Sequence, residues 1–242
     1  MEPLANCISL VHMIGSPKGS RKLLWRNVRL ECERMRADRH SFDAMTVLTA
    51  MQALSIYVLI RLDEGETEHN NLDVQLHYTV TILADRMAQL DCVRKTEQLE
   101  KPSDRPTWYD WLMEESRRRL SIVYRIINML VYFEPPGLCS PPSDLILAPL
   151  PARKLLWEAT EEQYESHMRS QEVDYAYAMA KTGGLVRLTD VTSSPLLDHT
   201  ELTYEYEMLG AATTRGTASW EEWLADMDGF GGLIVLAASM MQ

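Results

Sequence analysis

The chain has 242 residues, 46% of them hydrophobic and 24% charged, and these proportions indicate a globular protein with room for a substantial core. Its 24 lysines and arginines against 35 aspartates and glutamates give a formal charge of −11, which argues against binding to duplex DNA because that binding depends on neutralising phosphates. The four cysteines are scattered, which excludes a local zinc knuckle and a disulfide framework and indicates a reducing compartment.

The N-terminus does not read as a secretory signal, because Glu2 and Pro3 stand where such a signal is basic. No stretch reaches the roughly eighteen uninterrupted apolar residues of a membrane helix. We therefore expect no membrane partner, and a location in the nucleus or the cytoplasm.

Apolar residues spaced by three and four predict helices throughout the N-terminal half of the chain. The predicted segments are helices over 4–14, 21–36, 44–62 and 73–91, followed by a charged, solvated linker over 94–105. The stripe within 44–62 is the most regular, and we expect the Asp63-Glu64-Gly65 sequence to end that helix.

A further helix is predicted over 108–133, and it carries a dense cluster of charges. Glu115 precedes Arg119 by four residues, and Glu114 precedes Arg118 by four, with the acid first in each pair. Successive helical residues point about 100° apart, so the three consecutive arginines 117–119 cannot form one flat basic surface. We expect salt bridges within the chain in preference to phosphate contact.

The remaining third of the chain mixes loop and helix signals. Six prolines predict an extended loop over 134–151, packed across the domain surface through its leucines. Helices are predicted over 152–159, 160–181 and 220–241, the last interrupted near 228–232. Periodicity is weak over 183–216, where we expect the most mobile region and, over 185–188, a short strand or a turn of helix.

Together, the predicted elements indicate an all-α fold, a single irregular helical domain of about seven to nine helices.

The search for chemistry finds little. The six histidines never lie three or four residues apart, and no nucleophile elbow or phosphate-binding loop occurs. Asp226 and Asp228 are two apart, which points their carboxylates away from each other on a helix and favours a helix-end role over a metal site. We therefore predict no catalytic residue, no cofactor and no metal ion.

Two tryptophan pairs, Trp108/Trp111 and Trp220/Trp223, are each spaced by three and so share a helix face. Buried indoles contribute large apolar areas, so core packing is the preferred interpretation. Walls of a pocket for a small apolar effector are the alternative.

Several motifs in a fixed order carry a resemblance to a known family. They are WYDW, EESRRR and PLPARKLLWEA, with WEEWLADMDGFGG near the end of the chain. The residues within them that we single out are Trp108, Trp111, Glu115, Arg118, Pro151, Trp157 and Glu158. In this order the motifs resemble the C-terminal regulatory region of fungal transcription factors that carry a six-cysteine binuclear zinc cluster, and the resemblance covers nearly the whole chain.

The resemblance implies a nuclear, non-enzymatic effector-like domain over 1–242, shortened at its N-terminus, that controls metabolic or secondary-metabolite genes. It would act through protein partners, namely the transcription machinery or a cluster-bearing regulator, with a small-molecule effector as a further partner. The six-cysteine cluster is missing, so we expect no DNA-binding domain and no direct nucleic-acid partner. An all-α small-molecule-binding protein or an enzyme of fungal secondary metabolism is the alternative.

Overall fold

The computed structural model describes residues 3–14, 21–100, 107–131, 145–170, 176–188 and 215–241. These residues are 74% helical, which confirms the all-α fold class. They contain nine α-helices and one short 3-10 helix at Arg39–Ser41. The α-helices are α1 Pro3–Ile14, α2 Arg21–Asp38, α3 Ala44–Glu64, α4 Asp73–Glu100, α5 Trp108–Val131, α6 Lys154–Trp157, α7 Glu161–Arg169, α8 Trp220–Ala225 and α9 Gly229–Ser239.

The chain divides into two compact units, and the single regulatory domain expected over 1–242 stays a prediction. The first unit holds Met1–Pro102 and Ile127–Cys139, and the second holds Ser103–Ile126 and Ser140–Gln242. Helix α5 therefore contributes its N-terminal part to the second unit and its last residues to the first. A periodic sequence pattern does not reveal this division, because it reports only which face of a helix is apolar.

In the first unit, α3 packs against α1 and α4, and α2 packs against the same two helices. The buried side chains of α2 and α3 include most of the predicted apolar positions, namely Leu24, Val28, Cys32, Met35, Val47, Leu48, Leu54 and Val58. Trp25 and Tyr57 are also buried although the sequence pattern did not include them, whereas Leu59 and Leu62 of the predicted stripe are exposed. The Asp43 side chain caps α3 by accepting from the Thr46 N–H at 2.8 Å. Gly65, with φ of 70°, follows its last residue, so the predicted end of this helix is confirmed.

Helix α3 is, by its length and mean hydropathy, one that would be able to cross a membrane, and the core helices of globular proteins pass the same test. Half of its apolar window is buried inside the chain. It also carries Arg61, whose guanidinium lies 3.0 Å from the Asp73 carboxylate at the start of α4. Packing in the core of the first unit thus accounts for the apolar composition of α3.

Helix α4 is longer than the sequence pattern predicts. It continues to Glu100, so the linker expected from Arg94 onward is wrong for residues 94–100, while 101–106 lie outside the described residues. The segment contains neither glycine nor proline before Pro102, and its lysine, arginine, glutamate and glutamine residues have high helix propensity. Absence of an apolar stripe therefore did not end the helix.

The second unit contains a four-stranded antiparallel sheet in the order β1–β2–β3–β4. Its strands are β1 Leu145–Leu147, β2 Ala176–Ala180, β3 Leu185–Leu188 and β4 Arg215–Thr217. The helix predicted over 160–181 is therefore wrong in its last part: α7 ends at Arg169, and residues 176–180 pair with β3. The Lys181–Gly184 connection contains two glycines, one with φ of 77°, and this is the turn signal that the helical interpretation overlooked.

In its described residues, 145–151, the proline-rich segment packs through its leucines, as predicted. Leu145, Leu147 and Leu150 are buried, and the Leu150 N–H donates to the Tyr177 carbonyl at 2.7 Å. The first two residues belong to β1, so part of the expected loop is a strand. Residues 134–144 lie outside the described residues, as do 132–133 at the predicted end of α5 and 189–214 of the region expected to be most mobile.

The two short helices α8 and α9 replace the single interrupted helix predicted at the end of the chain. Asp226 to Asp228 separate them, close to the expected interruption. The helix expected over 152–159 is reduced to the one turn of α6.

Candidate functional site

Glu115 of α5 is the centre of the charged cluster in the second unit. Its side chain is fully buried, and its carboxylate accepts hydrogen bonds from Arg118 Nη1, from Arg119 Nε at 2.9 Å and from the backbone N–H of Ala152 at 2.9 Å. A buried carboxylate is costly unless it is paired and hydrogen-bonded, and here both conditions are met.

Arg119 connects this carboxylate to two other helices. Its Nη1 donates to the carboxylate of Asp228, the residue that precedes α9. Its guanidinium carbon lies 4.2 Å from the centroid of the Trp157 ring in α6 and 5.4 Å from that of Phe230 in α9. A planar guanidinium suits such simultaneous pairing and stacking. We call Glu115, Arg119 and Asp228 the ion-pair cluster.

All three consecutive arginines pair with carboxylates of the same chain, as predicted. The i, i+4 pair of Glu115 and Arg119 is confirmed. The predicted pair of Glu114 with Arg118 is wrong: Glu114 lies 3.2 Å from Arg117, and Arg118 pairs with Glu115, each at a separation of three residues instead of four. Both spacings bring side chains together on one helix face, and the sequence alone does not choose between them.

The loop before α6 forms a backbone hydrogen bond with Glu115. Pro151 is buried and has no N–H, so the first backbone donor after it is that of Ala152, which binds Glu115. The carbonyl of Ala152 accepts from Arg119 Nη2 at 3.4 Å. Ala152 thus uses both its backbone donor and its backbone acceptor on the same pair of side chains.

The other residues of the resemblance divide between this cluster and the adjoining core. Trp108 and Trp111 pack against a buried group formed by Leu156, Ala159 and Tyr164. The rings of Trp111 and Tyr164 lie 5.3 Å apart. This supports core packing for the first tryptophan pair.

Two predicted residues differ in their surroundings. Trp157 stacks on the guanidinium of Arg119, whereas Glu158 is exposed and lies 3.9 Å from Lys154. Among the described residues, Glu158 makes no ion pair or side-chain hydrogen bond with the ion-pair cluster. The second tryptophan pair is T-shaped, with Trp220 Nε1 donating to the Gly183 carbonyl at 3.0 Å.

Asp228 and Phe230 both contact Arg119, and the sequence analysis did not predict either contact. Asp228 was expected at a helix end, and this is confirmed, since its carboxylate accepts from the Phe230 N–H at 3.0 Å. Its ion pair with Arg119 spans 109 residues and has no local signal. Asp226 is exposed and lies 3.7 Å from Arg153. Within the described parts of the chain, no group of three or more His, Cys, Asp or Glu side chains is placed to hold a metal ion.

A groove of about 430 Å³ lies between α6 and α7 in the second unit. Its lining consists of Leu155, Leu156, Ala159, Gln163, Ser166, His167 and Ser170. None of these lining residues is a carboxylate, and His167 is the one histidine among them. The described lining thus combines apolar side chains with amide, hydroxyl and imidazole groups.

Two aromatic residues beside the groove carry buried polar atoms. The Tyr164 hydroxyl and the Trp108 indole N–H make no hydrogen bond within the described chain. Burial raises the pKa of Tyr164, and the negative charge of Asp110 raises it further, so the hydroxyl keeps its proton.

No known protein family, no curated protein and no solved structure matches this chain. The resemblance to the fungal regulatory region therefore stays a prediction. Function is argued below from the arrangement of the second unit.

Proposed function

We propose that this chain is a regulatory module of transcription that acts through protein partners in the nucleus and does not itself bind DNA. The observation that carries the proposal is the use of Arg117, Arg118 and Arg119 within the chain. Each pairs with a carboxylate of the same helix, and Arg119 also pairs with Asp228.

Electrostatics support the part of the proposal that concerns DNA. Duplex binding requires cations that can replace the counterions of phosphates, and the most concentrated basic run of this chain is already neutralised. The formal charge of −11 adds a general repulsion. The exposed acids at the start of α7, Glu161 and Glu162, and of α8, Glu221 and Glu222, fit basic protein surfaces better.

The position of the motif residues supports the regulatory part. Trp111 and Glu115 of α5, and Pro151 and Trp157 of the segment around α6, lie in the interior or at its border in the second unit. The motifs singled out for the resemblance therefore help to build the interior of this unit. This is what a folded effector-like module needs, because its outer surface is then left for partners.

A tethering experiment tests the regulatory role. The full chain is fused to a heterologous DNA-binding domain in yeast, and transcription of a reporter is compared with that of the DNA-binding domain alone. We expect the fusion to raise or lower the reporter. The Glu158→Gln variant should keep the effect, because Glu158 is exposed, whereas Glu115→Gln should lose it at equal fusion abundance. An unchanged reporter with the native chain would contradict the proposal.

A binding experiment tests the proposal that the chain does not itself bind DNA. The purified chain is titrated with duplex DNA of mixed sequence at about 0.15 M salt, where the Debye length is about 8 Å. We expect no sequence-selective complex. Tight and selective binding under these conditions would overturn the assignment.

A further inference from the structure

We infer that the groove between α6 and α7 binds an uncharged, partly apolar small molecule that also forms hydrogen bonds. The inference deepens the proposed function, on which it rests for its biological role, by naming the chemical class of an effector. It is argued from the composition of the two walls, from the charge of the lining and from the aromatic cluster that shares residues with it.

The two walls differ in polarity. Leu155, Leu156 and Ala159 provide an apolar wall on one side. Gln163, Ser166 and Ser170 of α7 and its C-cap provide hydroxyl and amide groups on the other, spaced by three and four so that they share one helix face. Such a combination of apolar surface with a few polar groups is typical of small-molecule sites of this volume.

The polar wall is partly committed to the fold. The Gln163 side-chain oxygen accepts from the Thr160 N–H at 2.9 Å, as part of the capping box of α7. Its amide NH₂ group is therefore the part that is left to donate. The Ser170 hydroxyl donates to the His167 carbonyl at 2.7 Å and keeps its oxygen lone pairs as acceptors. The wall thus offers both a donor and an acceptor.

The charge of the lining selects a neutral ligand. Among the described lining residues there is no lysine, arginine, aspartate or glutamate, and His167 is the one titratable side chain. A charged ligand would therefore lose hydration against the apolar wall without gaining a permanent counter-charge from these residues, which is unfavourable. Glu161 and Glu162 lie on the same short helix, exposed, and would repel an anion further.

The apolar wall continues into an aromatic cluster. Leu156 and Ala159 belong both to the groove lining and to the buried group that contains Tyr164, against which Trp108 and Trp111 pack. The buried Tyr164 hydroxyl makes no hydrogen bond within the described chain, and buried hydroxyls usually have a partner or a role. Tyr164 itself does not line the groove, and its ring supports the apolar wall through the buried group that it forms with Leu156 and Ala159.

The experiment uses the full chain and a matched pair of probes, neutral 2-naphthol and anionic naphthalene-2-sulfonate, titrated by calorimetry. We expect saturable one-to-one binding of 2-naphthol, with the sulfonate bound at least about tenfold more weakly. Absence of saturable binding of 2-naphthol, or equal binding of both probes, would overturn the inference.

Matched variants locate the site. Leu155→Ala removes an apolar wall residue that is 69% exposed, and Leu236→Ala removes a leucine that is 61% exposed on α9 and does not line the groove. We expect Leu155→Ala to weaken 2-naphthol binding about tenfold, since burying a leucine side chain contributes about that factor, and Leu236→Ala to leave it unchanged. Equal effects of the two variants would contradict the location.

A third variant fills the groove from an exposed position. Ser166→Trp places a large side chain on the solvent-facing surface of α7, where it should be tolerated by the fold, and should abolish probe binding. Undiminished binding by this variant, with its circular dichroism unchanged, would also overturn the inference. Failure of probe binding with reporter regulation intact would refute the groove alone, and a silent reporter with saturable probe binding would refute the regulatory role alone.

Discussion

Glu115 has no solvent contact and depends wholly on its three donors for compensation of its charge. Two of the donors come from its own helix and the third from the loop before α6. Removing one partner of a buried ion pair costs far more than the pair contributes, because the other charge remains buried. A substitution at Glu115 should therefore lower the free energy of unfolding much more than a substitution at an exposed acid does.

We expect Glu115→Gln to lower the free energy of unfolding by about 3–5 kcal/mol, because Arg118 and Arg119 lose their shared carboxylate. Urea denaturation monitored by circular dichroism measures the change. Glu158→Gln is the control and should alter stability by no more than about 0.5 kcal/mol, since its contact with Lys154 is exposed. Similar losses in both variants would show that the ion-pair cluster is not the source.

A substitution at Tyr164 should change the free energy of unfolding in the opposite direction from Glu115→Gln, or not at all. Its hydroxyl is buried and unsatisfied within the described chain, so Tyr164→Phe removes a desolvated group without breaking a recorded bond. We expect the free energy of unfolding to stay the same or to rise by up to about 1 kcal/mol. A loss of more than about 1 kcal/mol in the same urea assay would mean that the hydroxyl does have a structural partner.

At the scale of elements, α9 is a helix whose glycines serve different purposes. A Cβ atom on Gly231 would lie 2.7 Å from Met227 Cβ and 2.9 Å from Leu224 Cδ1. A Cβ atom on Gly232 would meet nothing within 4 Å. Gly231 therefore permits the close turn between α8 and α9, whereas Gly232 only weakens the helix.

The two glycines make a matched pair of substitutions. Gly231→Ala should destabilise the protein by about 1–3 kcal/mol, because the new methyl group overpacks the contact with Met227. Gly232→Ala should stabilise it by up to about 1 kcal/mol, because alanine has the higher helix propensity. The urea midpoints should thus move in opposite directions, and a shift of both in one direction would contradict this packing.

The strand β2 shows where element prediction from the sequence fails. Four of its five residues, AYAMA, are alanine or methionine, which favour a helix, and the preceding helical pattern was extended through them. The pairing of Tyr177 with Arg187 and of Ala178 with Val186 decides the conformation. The partner strand follows after the four-residue turn 181–184, so the hairpin is local, and its glycines are the signal that outweighs the helix propensity of β2.

At the scale of the whole molecule, stability should depend on pH through two buried thiols of the first unit. Burial raises the pKa of Cys7 and of Cys32 to about 11, from an ordinary value of 9.0. The Cys7 thiol also donates to the Ala53 carbonyl at 3.8 Å, which requires its proton. The folded chain therefore holds both protons to a higher pH than the unfolded chain does.

We expect the free energy of unfolding to be unaffected by these thiols below about pH 9 and to fall as the pH rises from 9 toward 11, by up to about 2 kcal/mol for each thiol. Urea denaturation across this range measures the slope. Alkylation provides the control: exposed Cys92 should react with iodoacetamide in the native protein, while Cys7 and Cys32 should react only after unfolding. A stability that rises with pH over this interval would have the wrong sign.

The sequence by itself determined the helical class, the limits of α3, the helix-end role of Asp228 and the pairing of Glu115 with Arg119. All of these depend on residues within a few positions of one another, where the helical period and cap chemistry act. Only the tertiary structure decided that Asp228 meets Arg119 and that the Ala152 N–H meets Glu115. These contacts join residues that are 109 and 37 positions apart along the chain, and their geometry depends on how the elements pack, which no local pattern encodes. The strand over 176–180 and the groove between α6 and α7 join neighbouring segments, and there the pairing of β2 with β3 and the packing of the two helices decided what the helical period left open.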